Sequence, residues 1–272
     1  MSRSYVATDL DARLTPYMRR IGVIAKEHEY VVINLIVKHH LQRLGAVKSL
    51  GIVDPFHEIS RQLIVAAAGS VITELRPTLA FAGGAGFSFV FPPVAKDAGR
   101  MYSGRTNPLL SGAASLAAVA LLTEASTVYP EYVKAFPNEA LQINGHTFTL
   151  PTPDLAEDWA VREELVHEKQ VVMALAHQAG IQTGGVPLTK VRALLERTSQ
   201  RWMGMSRSAR LGTVLKPLPS SEASVWDSLE MPDSFPALRD LVEEGKLRSF
   251  IEQCYGREAR QQVQEGIVPP IP

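Results

Sequence analysis

The segment Thr78–Phe91 reads TLAFAGGAGFSFVF, and it decides the fold class of this 272-residue chain. Two apolar runs flank a short glycine-rich turn, which is the pattern of a tight antiparallel hairpin. No helix begins directly after the glycines, and the spacing lacks the lysine that follows the second glycine of a phosphate-binding loop. The segment therefore predicts two adjacent strands and not a loop that cradles phosphates.

The chain upstream of this hairpin predicts a helix, a strand and a second helix. Apolar residues recur every three or four positions over 9–29, which is the period of a helix with one buried face. The run Tyr30–Val37, YVVINLIV, is rich in β-branched residues and predicts a buried strand. A second helical pattern covers about 57–75 and ends just before the hairpin.

The chain downstream of the hairpin alternates between helical and strand patterns. Helical periods occur at about 108–125, 154–180 and 189–199. Asn144-Gly145 lies between two alternating runs within 141–150, and this dipeptide predicts a second hairpin. The order of helix, strand, helix, hairpin, helix, hairpin and helices predicts an α+β fold. We expect helices packed on a small antiparallel sheet, as in the ferredoxin-related palm of polymerases.

The composition changes after Lys216. The stretch 217–221, PLPSS, predicts a linker, because it is rich in proline and serine. Residues 222–265 contain ten acidic and five basic residues and predict further helices. We therefore divide the chain into a palm-like domain at 1–216 and a linker with a helical C-terminal tail at 217–272.

The overall composition excludes several classes of protein. Lysine plus arginine equals aspartate plus glutamate, 28 each, so the whole chain has no field that attracts nucleic acid. The single cysteine, Cys254, excludes an internal disulfide and a cysteine-based zinc site. The first 20 residues carry charges and lack the apolar core of a signal peptide, and the apolar stretch Leu116–Leu122 is too short to cross a bilayer. These features predict a soluble protein of the cytoplasm or another intracellular compartment, without a membrane partner.

Three stretches together resemble a known family. Val31–His40 is followed by Asp54-Pro55-Phe56 and then by Gly84–Phe91, GAGFSFVF. This series is similar to the tRNA-His guanylyltransferase family, which extends tRNA in the 3′-to-5′ direction on a polymerase-like palm. In that family a strand ends in R-[IL]-D-G-R, a Lys-Pro-Phe loop follows, and a later hairpin carries S-D-E-Y-S-F-V-F.

Later stretches resemble the same family in the same order. Arg105–Pro108 is similar to its R-R-A-S-K helix start, and Arg162–His167 is similar to its R-Q-x-D-x-H helix. Leu211–Leu215 is similar to its K-G-T-V-L strand. The resemblance covers about residues 12–216 and leaves the tail outside it.

The acidic positions that the resemblance implies are not acidic in this chain. Nucleotidyl transfer on a palm uses two metal ions about 4 Å apart, and magnesium prefers carboxylate ligands. The two aspartate positions of the family fall on Ile36 and Ala85. The glutamate position falls on Gly86 and the flexible glycine falls on Val37. The resemblance therefore implies a degenerate site with no catalytic residue, no metal and no cofactor.

The positions that the resemblance assigns to phosphate and tRNA contacts are partly kept. Arg105 remains, but the lysine of R-R-A-S-K falls on Pro108, which has neither a charge nor an amide donor. Arg162 and His167 remain too, although their five-residue separation on one helix predicts different directions. Lys38, at the end of the predicted strand, is a further candidate for contacts with RNA or a nucleotide.

One region of the chain is clearly basic, at 190–216. It suits contact with an RNA backbone, and an aromatic side chain among its arginines suits stacking on a base. The alternative is a solvated face whose charges pair with the acidic tail. The RNA-binding candidates in this region are Arg197, Arg201, Trp202, Arg207 and Arg210.

Three functions fit these patterns. The first is a catalytically inactive tRNA-His guanylyltransferase-like protein that is retained for RNA binding or for assembly. The second is a structural, self-assembling subunit without a substrate. The third is an active tRNA nucleotidyltransferase with relocated magnesium ligands, for which Asp54 and Asp97 are the nearest acids. Because the family forms dimers or tetramers, we expect a homo-oligomer, and the apolar stretch 109–122 suits its interface.

Overall fold

The computed structural model describes residues 6–19, 24–40, 58–93, 105–134, 141–198, 202–219 and 226–265. Its elements lie in an order that confirms the α+β class. They are α1 (Ala7–Met18), β1 (Tyr30–Val37), α2 (Glu58–Leu75), β2 (Leu79–Gly83), β3 (Gly86–Phe91), α3 (Thr106–Val128), α4 (Pro130–Lys134), β4 (Ile143–Leu150), α5 (Pro153–Gln178), α6 (Leu188–Leu195), α7 (Arg207–Leu211), β5 (Thr213–Pro219), β6 (Trp226–Glu230), α8 (Leu238–Glu243), α9 (Leu247–Glu252) and α10 (Glu258–Gln264).

The strands form one sheet in the order β4-β1-β3-β2-β5-β6, and every neighbouring pair is antiparallel. β1 lies between β3 and β4, and its residues are buried except for the partly exposed Asn34 and the exposed Ile36. The predicted hairpin is confirmed, with Gly84-Ala85 as the turn between β2 and β3.

Alternating side chains of the strands feed two hydrophobic cores. Ile33, Leu35 and Phe89 point to one face, where α2 and α3 cover the sheet. Val32 and Phe148 point to the other face, where α1, α5 and the C-terminal helices pack. This alternation follows from the two-residue period of a strand. It places the long helix α5 across the second face of the sheet.

The sequence around α5 explains where this helix begins. Thr152 precedes it, and the Thr152 hydroxyl accepts a hydrogen bond from the backbone N–H of Leu155 at 3.4 Å. Pro153 occupies the first helical position, where a missing N–H costs nothing, and Asp154 places a negative charge in the first turn. The helix predicted at 154–180 is therefore confirmed.

The second predicted hairpin is wrong. Residues 143–150 form one continuous strand, β4, in which Gly145 lies opposite Leu35 and Asn144 lies opposite Ile36. The glycine serves close packing instead of a turn, because a Cβ at position 145 would lie 2.8 Å from Cδ1 of Leu110 on α3.

The predicted linker is also wrong where the structure describes it. Pro217 and Pro219 belong to β5 and lie opposite Ser228 and Trp226 of β6. β2 pairs with β5 only as far as Leu215, so the prolines lie where the strand has one neighbour and a missing N–H is tolerated. Residues of α8–α10 join the core on the second face of the sheet.

Two helices differ in length from the prediction. α1 ends at Met18, and Ile24 instead forms an isolated antiparallel bridge with Arg105. α3 extends over Thr106–Val128, and it is long and apolar enough to cross a membrane by length and composition alone. Its inner face, however, packs against α2 and the sheet. Core helices of soluble proteins meet the same criterion, so the criterion alone does not indicate a membrane span.

Candidate functional site

A cleft opens between α5 and the end of the sheet that carries the β2–β3 turn. Its volume is about 580 Å³, which is within the range of sites for small ligands. Its floor consists of strand residues, and one wall consists of side chains of α5. The polar side chains that line it are Asn34, His146, Arg162, Glu163, His167 and Gln170.

The strand register places the floor residues in two rows. In the first row, Ile36 lies opposite Gly86 on one side and Asn144 on the other. In the second row, Asn34 lies opposite Ser88 and His146. The first row therefore brings Ile36, where the resemblance implies a metal-binding aspartate, beside Gly86, where it implies a glutamate, and Ala85 lies in the adjacent turn.

These positions do not fit a pair of magnesium ions. Ile36 is 51% exposed at the cleft and offers only carbon atoms, and Ala85 in the adjacent turn has a methyl group. The Ala85 carbonyl oxygen accepts a hydrogen bond from the backbone N–H of Val37 at 2.8 Å. Across the described ranges, no group of three or more histidine, cysteine, aspartate or glutamate residues could hold a metal. Asp54 and Asp97 lie outside those ranges.

Gly86 leaves no room for an acidic side chain. A Cβ at this position would lie 2.6 Å from the backbone oxygen of Leu35, which is closer than real Cβ atoms approach other atoms. The obstacle is backbone and cannot rotate away. A glutamate at position 86 would therefore require β1 and β3 to separate.

One acid does line the cleft in the described part of the chain, and it is Glu163 on α5. Its carboxylate accepts hydrogen bonds from Arg162 at 2.9 Å and from the Asn34 amide at 3.2 Å. Burial raises the pKa of Glu163 to about 7, although Arg162 opposes this shift. Because both oxygens of this single carboxyl are already bonded to Arg162 and Asn34, it is a poor ligand for a hard cation.

Arg162 and His167 both line the cleft, although they lie five residues apart on α5. Arg162 donates to Asp11 at 2.6 Å and lies 5.0 Å from the Trp159 ring, so its charge is already engaged. His167 is buried, and its Nε2 lies 3.3 Å from the Ala209 carbonyl oxygen. Burial lowers the pKa of His167 to about 4, so the ring is neutral at pH 7.

Two further candidates, Lys38 and Arg105, are exposed. Lys38 follows β1 and donates from Nζ to Gln142 at 3.0 Å. Arg105 directly precedes α3 and is exposed as well. His40, by contrast, is buried, and its two ring nitrogens lie 2.8 Å from Tyr132 and 3.0 Å from Ser60, which indicates a structural role.

Trp202 does not fit its predicted role in base stacking. It is only 4% exposed and packs with Val171 and Leu195 in a small core between α5 and α6. The guanidinium groups of Arg192 and Arg210 lie 5.6 Å and 5.9 Å from its ring. Because the ring is already covered, no base can reach it without unfolding this region.

Arg207 does not fit its predicted role in RNA binding either. It is buried, forms an ion pair with Glu164 of α5 and donates to the carbonyl oxygens of Gly212 at 2.7 Å and Phe235 at 3.0 Å. Glu164 in turn accepts from the backbone N–H of Leu238 at 2.6 Å. This network joins α5, α7 and the start of α8, so Arg207 holds the tail in place.

Part of the basic region remains on the surface. Lys190 and Arg197 are exposed and have no ion pair with the described residues, while Arg210 is half-buried beside the exposed Met203. Arg201 lies outside the described ranges. We call Lys190, Arg197 and Arg210 the α6–α7 basic surface.

Solved structures share the arrangement of this fold. A bacterial tRNA(His) guanylyltransferase (Thg1)-like protein in complex with ATP has a TM-score of 0.65, with 12% identity over 91% of this chain and 99% of that chain. Such a protein in complex with GTP has a TM-score of 0.61, with 10% identity over 90% and 99% of the two chains. This chain has the fold of the tRNA-His guanylyltransferases.

A eukaryotic structure gives the same result for the fold. The tRNA(His) guanylyltransferase from Saccharomyces cerevisiae has a TM-score of 0.57, with 12% identity over 76% of this chain and 91% of that chain. No protein-family profile matches the sequence. No curated protein sequence matches it either. The likeness therefore lies in the fold, and the local chemistry of the cleft has to decide the function.

The sequence analysis did not identify four of the polar side chains that line the cleft. They are Asn34, His146, Glu163 and Gln170. Asn34 did carry a signal, since it is the one polar residue in the apolar run YVVINLIV. A polar side chain inside a buried strand needs a partner, and here the partner is Glu163.

Proposed function

We propose that this chain is a non-catalytic member of the tRNA-His guanylyltransferase family that binds RNA without adding nucleotides to it. The observation that carries the proposal is the pairing of Ile36 with Gly86, beside Ala85, on the fold of those enzymes. Side chains without oxygen at these positions cannot hold the two hard cations that align and neutralise a phosphoryl group.

The RNA-binding part of the proposal rests on the fold and on local charge. The structural neighbours are named for action on tRNA, and the net charge of zero requires any attraction for RNA to be local. The α6–α7 basic surface supplies three cations, Lys38 supplies another after β1, and Arg105 supplies one more before α3. Because tRNA is found inside cells, an RNA ligand also favours an intracellular location.

Two assays on the full chain test the proposal. The first incubates the protein with labelled nucleoside triphosphate, magnesium and tRNA-His carrying a 5′-monophosphate or a 5′-triphosphate, beside an active member of the family. We expect no incorporation above background. Magnesium-dependent incorporation would overturn the proposal and direct attention to Asp54, Asp97 and Glu163 as relocated ligands.

The second assay measures RNA affinity by fluorescence anisotropy over a range of salt concentrations. We expect the affinity to fall as salt rises, because neutralised phosphates release counterions. The double substitution Lys190→Glu with Arg197→Glu should weaken binding and reduce the salt slope by about one to two. Arg257→Glu with Lys246→Glu makes the same charge change on exposed tail residues and should have little effect. Equal losses in both pairs would contradict a local RNA surface.

Self-association is a second candidate function, and the outer face of α3 favours it. Val119 is 66% exposed and Leu122 is 36% exposed, and the only charged side chain in the helix is Glu124. Exposed apolar surface of this kind marks interfaces in soluble proteins. A homo-oligomer that associates through the outer face of α3 can also bind RNA. Self-association and RNA binding do not depend on each other.

A further inference from the structure

Met203, just before α7, is the most exposed methionine in the described part of the chain. Its side chain is 68% exposed, whereas Met231 is only 3% exposed. The other described methionines are partly buried, and they are Met18, Met173 and Met205. The small core around Trp202 includes Met205 as a neighbour but not Met203. The packing of this core therefore does not require a methionine at position 203.

The sulfur of Met203 lies against Arg210. Nη1 of Arg210 donates to Sδ of Met203 at 3.7 Å. The backbone at this position is also held, because the N–H of Met203 donates to Oε1 of Glu196 at 2.8 Å. A thioether sulfur is a weak acceptor, so this contact uses little of the hydrogen-bonding capacity of the guanidinium group.

Arg210 is held in position by an aromatic ring but has no acidic partner among the described residues. Its guanidinium group lies 5.9 Å from the ring of Trp202, and its Nε is buried without a hydrogen-bond partner in the structure. Arg192 lies near the same ring but forms an ion pair with Glu168 at 2.6 Å. Of these two arginines, Arg210 is therefore the one that can engage a stronger acceptor than sulfur.

Hydrogen peroxide converts an accessible methionine to its sulfoxide. The sulfur lone pair attacks one peroxide oxygen, the O–O bond breaks and an S–O bond forms. The departing hydroxide takes the proton of the new S–OH group and leaves as water. Sulfur loses two electrons in this step and the peroxide gains them. The product is polar, and methionine sulfoxide reductases restore the thioether, so the modification is reversible.

Oxidation places a strong acceptor where Arg210 now meets a weak one. The S–O bond of a sulfoxide carries its negative end on oxygen, and a hydrogen bond from a charged donor to such an oxygen is stronger than one between neutral groups. A phosphate that binds Arg210 must then displace this oxygen, whereas displacing the thioether costs little. The oxidation state of Met203 therefore determines how readily Arg210 binds an anion.

We propose that Met203 is a reversible oxidation site, and that its sulfoxide engages Arg210 and weakens RNA binding by the α6–α7 basic surface. The effect on RNA rests on the proposed function, because Arg210 must contact phosphate for its engagement to matter. The contact between the sulfoxide oxygen and Arg210 does not depend on RNA. Lys190 and Arg197 remain available after oxidation, so RNA affinity should decrease without being abolished.

RNA binding before and after limited treatment with hydrogen peroxide tests the inference on the full chain. All proteins carry Cys254→Ser, because peroxide also attacks an exposed thiol. Peptide mass spectrometry confirms that Met203 is oxidised. We expect RNA affinity to fall about threefold to tenfold and the salt slope to fall by about one. Treatment with a methionine sulfoxide reductase should restore both values.

Two leucine substitutions assign the response to one sulfur. Met203→Leu keeps an apolar side chain of similar size but cannot be oxidised, so it should bind RNA as the untreated protein does and lose the response to peroxide. Met205→Leu is the matched control, because Met205 is partly buried two residues away, and it should keep the response. A response that persists in Met203→Leu, or unchanged RNA affinity after Met203 is oxidised, would overturn the inference.

Nitrogen-15 NMR of the guanidinium groups measures the contact in the absence of RNA. The signal of Arg210 is assigned by its loss in Arg210→Gln. After oxidation its Nη protons should exchange more slowly with water, and in Met203→Leu they should not change. If the untreated protein binds no RNA, the proposed function fails, and slower exchange still supports the contact. Unchanged exchange in protein whose Met203 is oxidised would overturn the contact itself.

Discussion

Ile36 of β1 lies directly opposite Gly86 of β3, and both face the cleft below α5. This relationship places two features that disfavour metal-binding acids in one row of the sheet. At position 36 the side chain has no oxygen, and at position 86 the backbone oxygen of Leu35 leaves no space for a side chain.

The close approach at Gly86 predicts a stability effect. Gly86→Ala forces β1 and β3 apart, and overpacking of this kind should reduce the free energy of unfolding by about 1–3 kcal/mol. Gly184→Ala is the matched control, because a Cβ at position 184 would meet no atom within 4 Å. Chemical denaturation of the two variants measures the difference. Equal stability of both would contradict the register described for β1 and β3.

His167 predicts a dependence of stability on acid. Its pKa falls from 6.5 in the unfolded chain to about 4 in the folded protein because burial penalises the charged ring. The stability that the neutral ring provides is therefore fully present above pH 6.5 and is lost as the pH falls through about 4. The loss amounts to at most about 3 kcal/mol. His167→Gln should flatten the profile between these pH values, whereas His177→Gln, exposed on the same helix, should leave it unchanged.

Substitution of Arg207 should reduce the stability of the fold and not remove a direct contact with RNA. Arg207→Ala leaves Glu164 buried without its ion-pair partner, which should cost about 3–5 kcal/mol. Arg260→Ala removes an exposed arginine that pairs with the partly exposed Asp227, and it should cost less. Thermal unfolding with and without RNA separates the two effects. An Arg207→Ala variant with normal stability and a reduced salt slope would restore Arg207 as an RNA contact.

Lys216 predicts how the tail is held. Its side chain is fully buried, and Nζ donates to the carbonyl oxygens of Phe250 at 2.7 Å and Ile251 at 3.0 Å near the end of α9. Lys216→Met leaves these two acceptors without their donor and should destabilise the docked tail by about 1–3 kcal/mol each. Hydrogen exchange should become faster over 247–252. Lys246→Met, exposed before α9, serves as the control and should leave this exchange unchanged.

The outer face of α3 predicts the state of assembly. Val119→Lys places a charge where an isologous contact would bury it, so a homo-oligomer that uses this face should dissociate. Light scattering during size-exclusion chromatography measures the mass. Val6→Lys is the control, because Val6 is similarly exposed but lies outside this helix. A monomeric wild-type protein, or an unchanged mass in Val119→Lys, would contradict the proposed interface.

The fold was predictable from the sequence where a pattern has one physical meaning. TLAFAGGAGFSFVF has too few residues between its apolar runs for anything but a tight turn, and YVVINLIV has the composition of a buried strand. Asn144-Gly145 misled, because a glycine can serve a turn or a close contact, and only the position of Leu110 decides between them. Pro217 misled in the same way, because its compatibility with a strand depends on how far β2 extends.

The sequence predicted which acidic residues the site lacks, but it did not predict the polar residues that line it. Ile36 and Ala85 could be assigned from motif spacing, and their meeting at one cleft follows from the strand register. The polar groups of the cleft were missed, because the contact of Asn34 with Glu163 joins residues 129 positions apart. Arg207 and Trp202 looked like surface residues, since a basic and aromatic stretch has the same composition whether its charges face water or a buried glutamate.

The most direct test of the central claim is a titration with Mn²⁺, observed by electron paramagnetic resonance, as a substitute for magnesium. The wild-type chain should bind no Mn²⁺ at the cleft, whereas Ile36→Asp with Ala85→Asp should gain a site that Ile36→Asn with Ala85→Asn does not gain. This outcome would show that the two missing carboxylates account for the absence of a metal site in the cleft. Stoichiometric Mn²⁺ binding by the wild-type chain, abolished by Glu163→Gln, would contradict the account and indicate a relocated metal site.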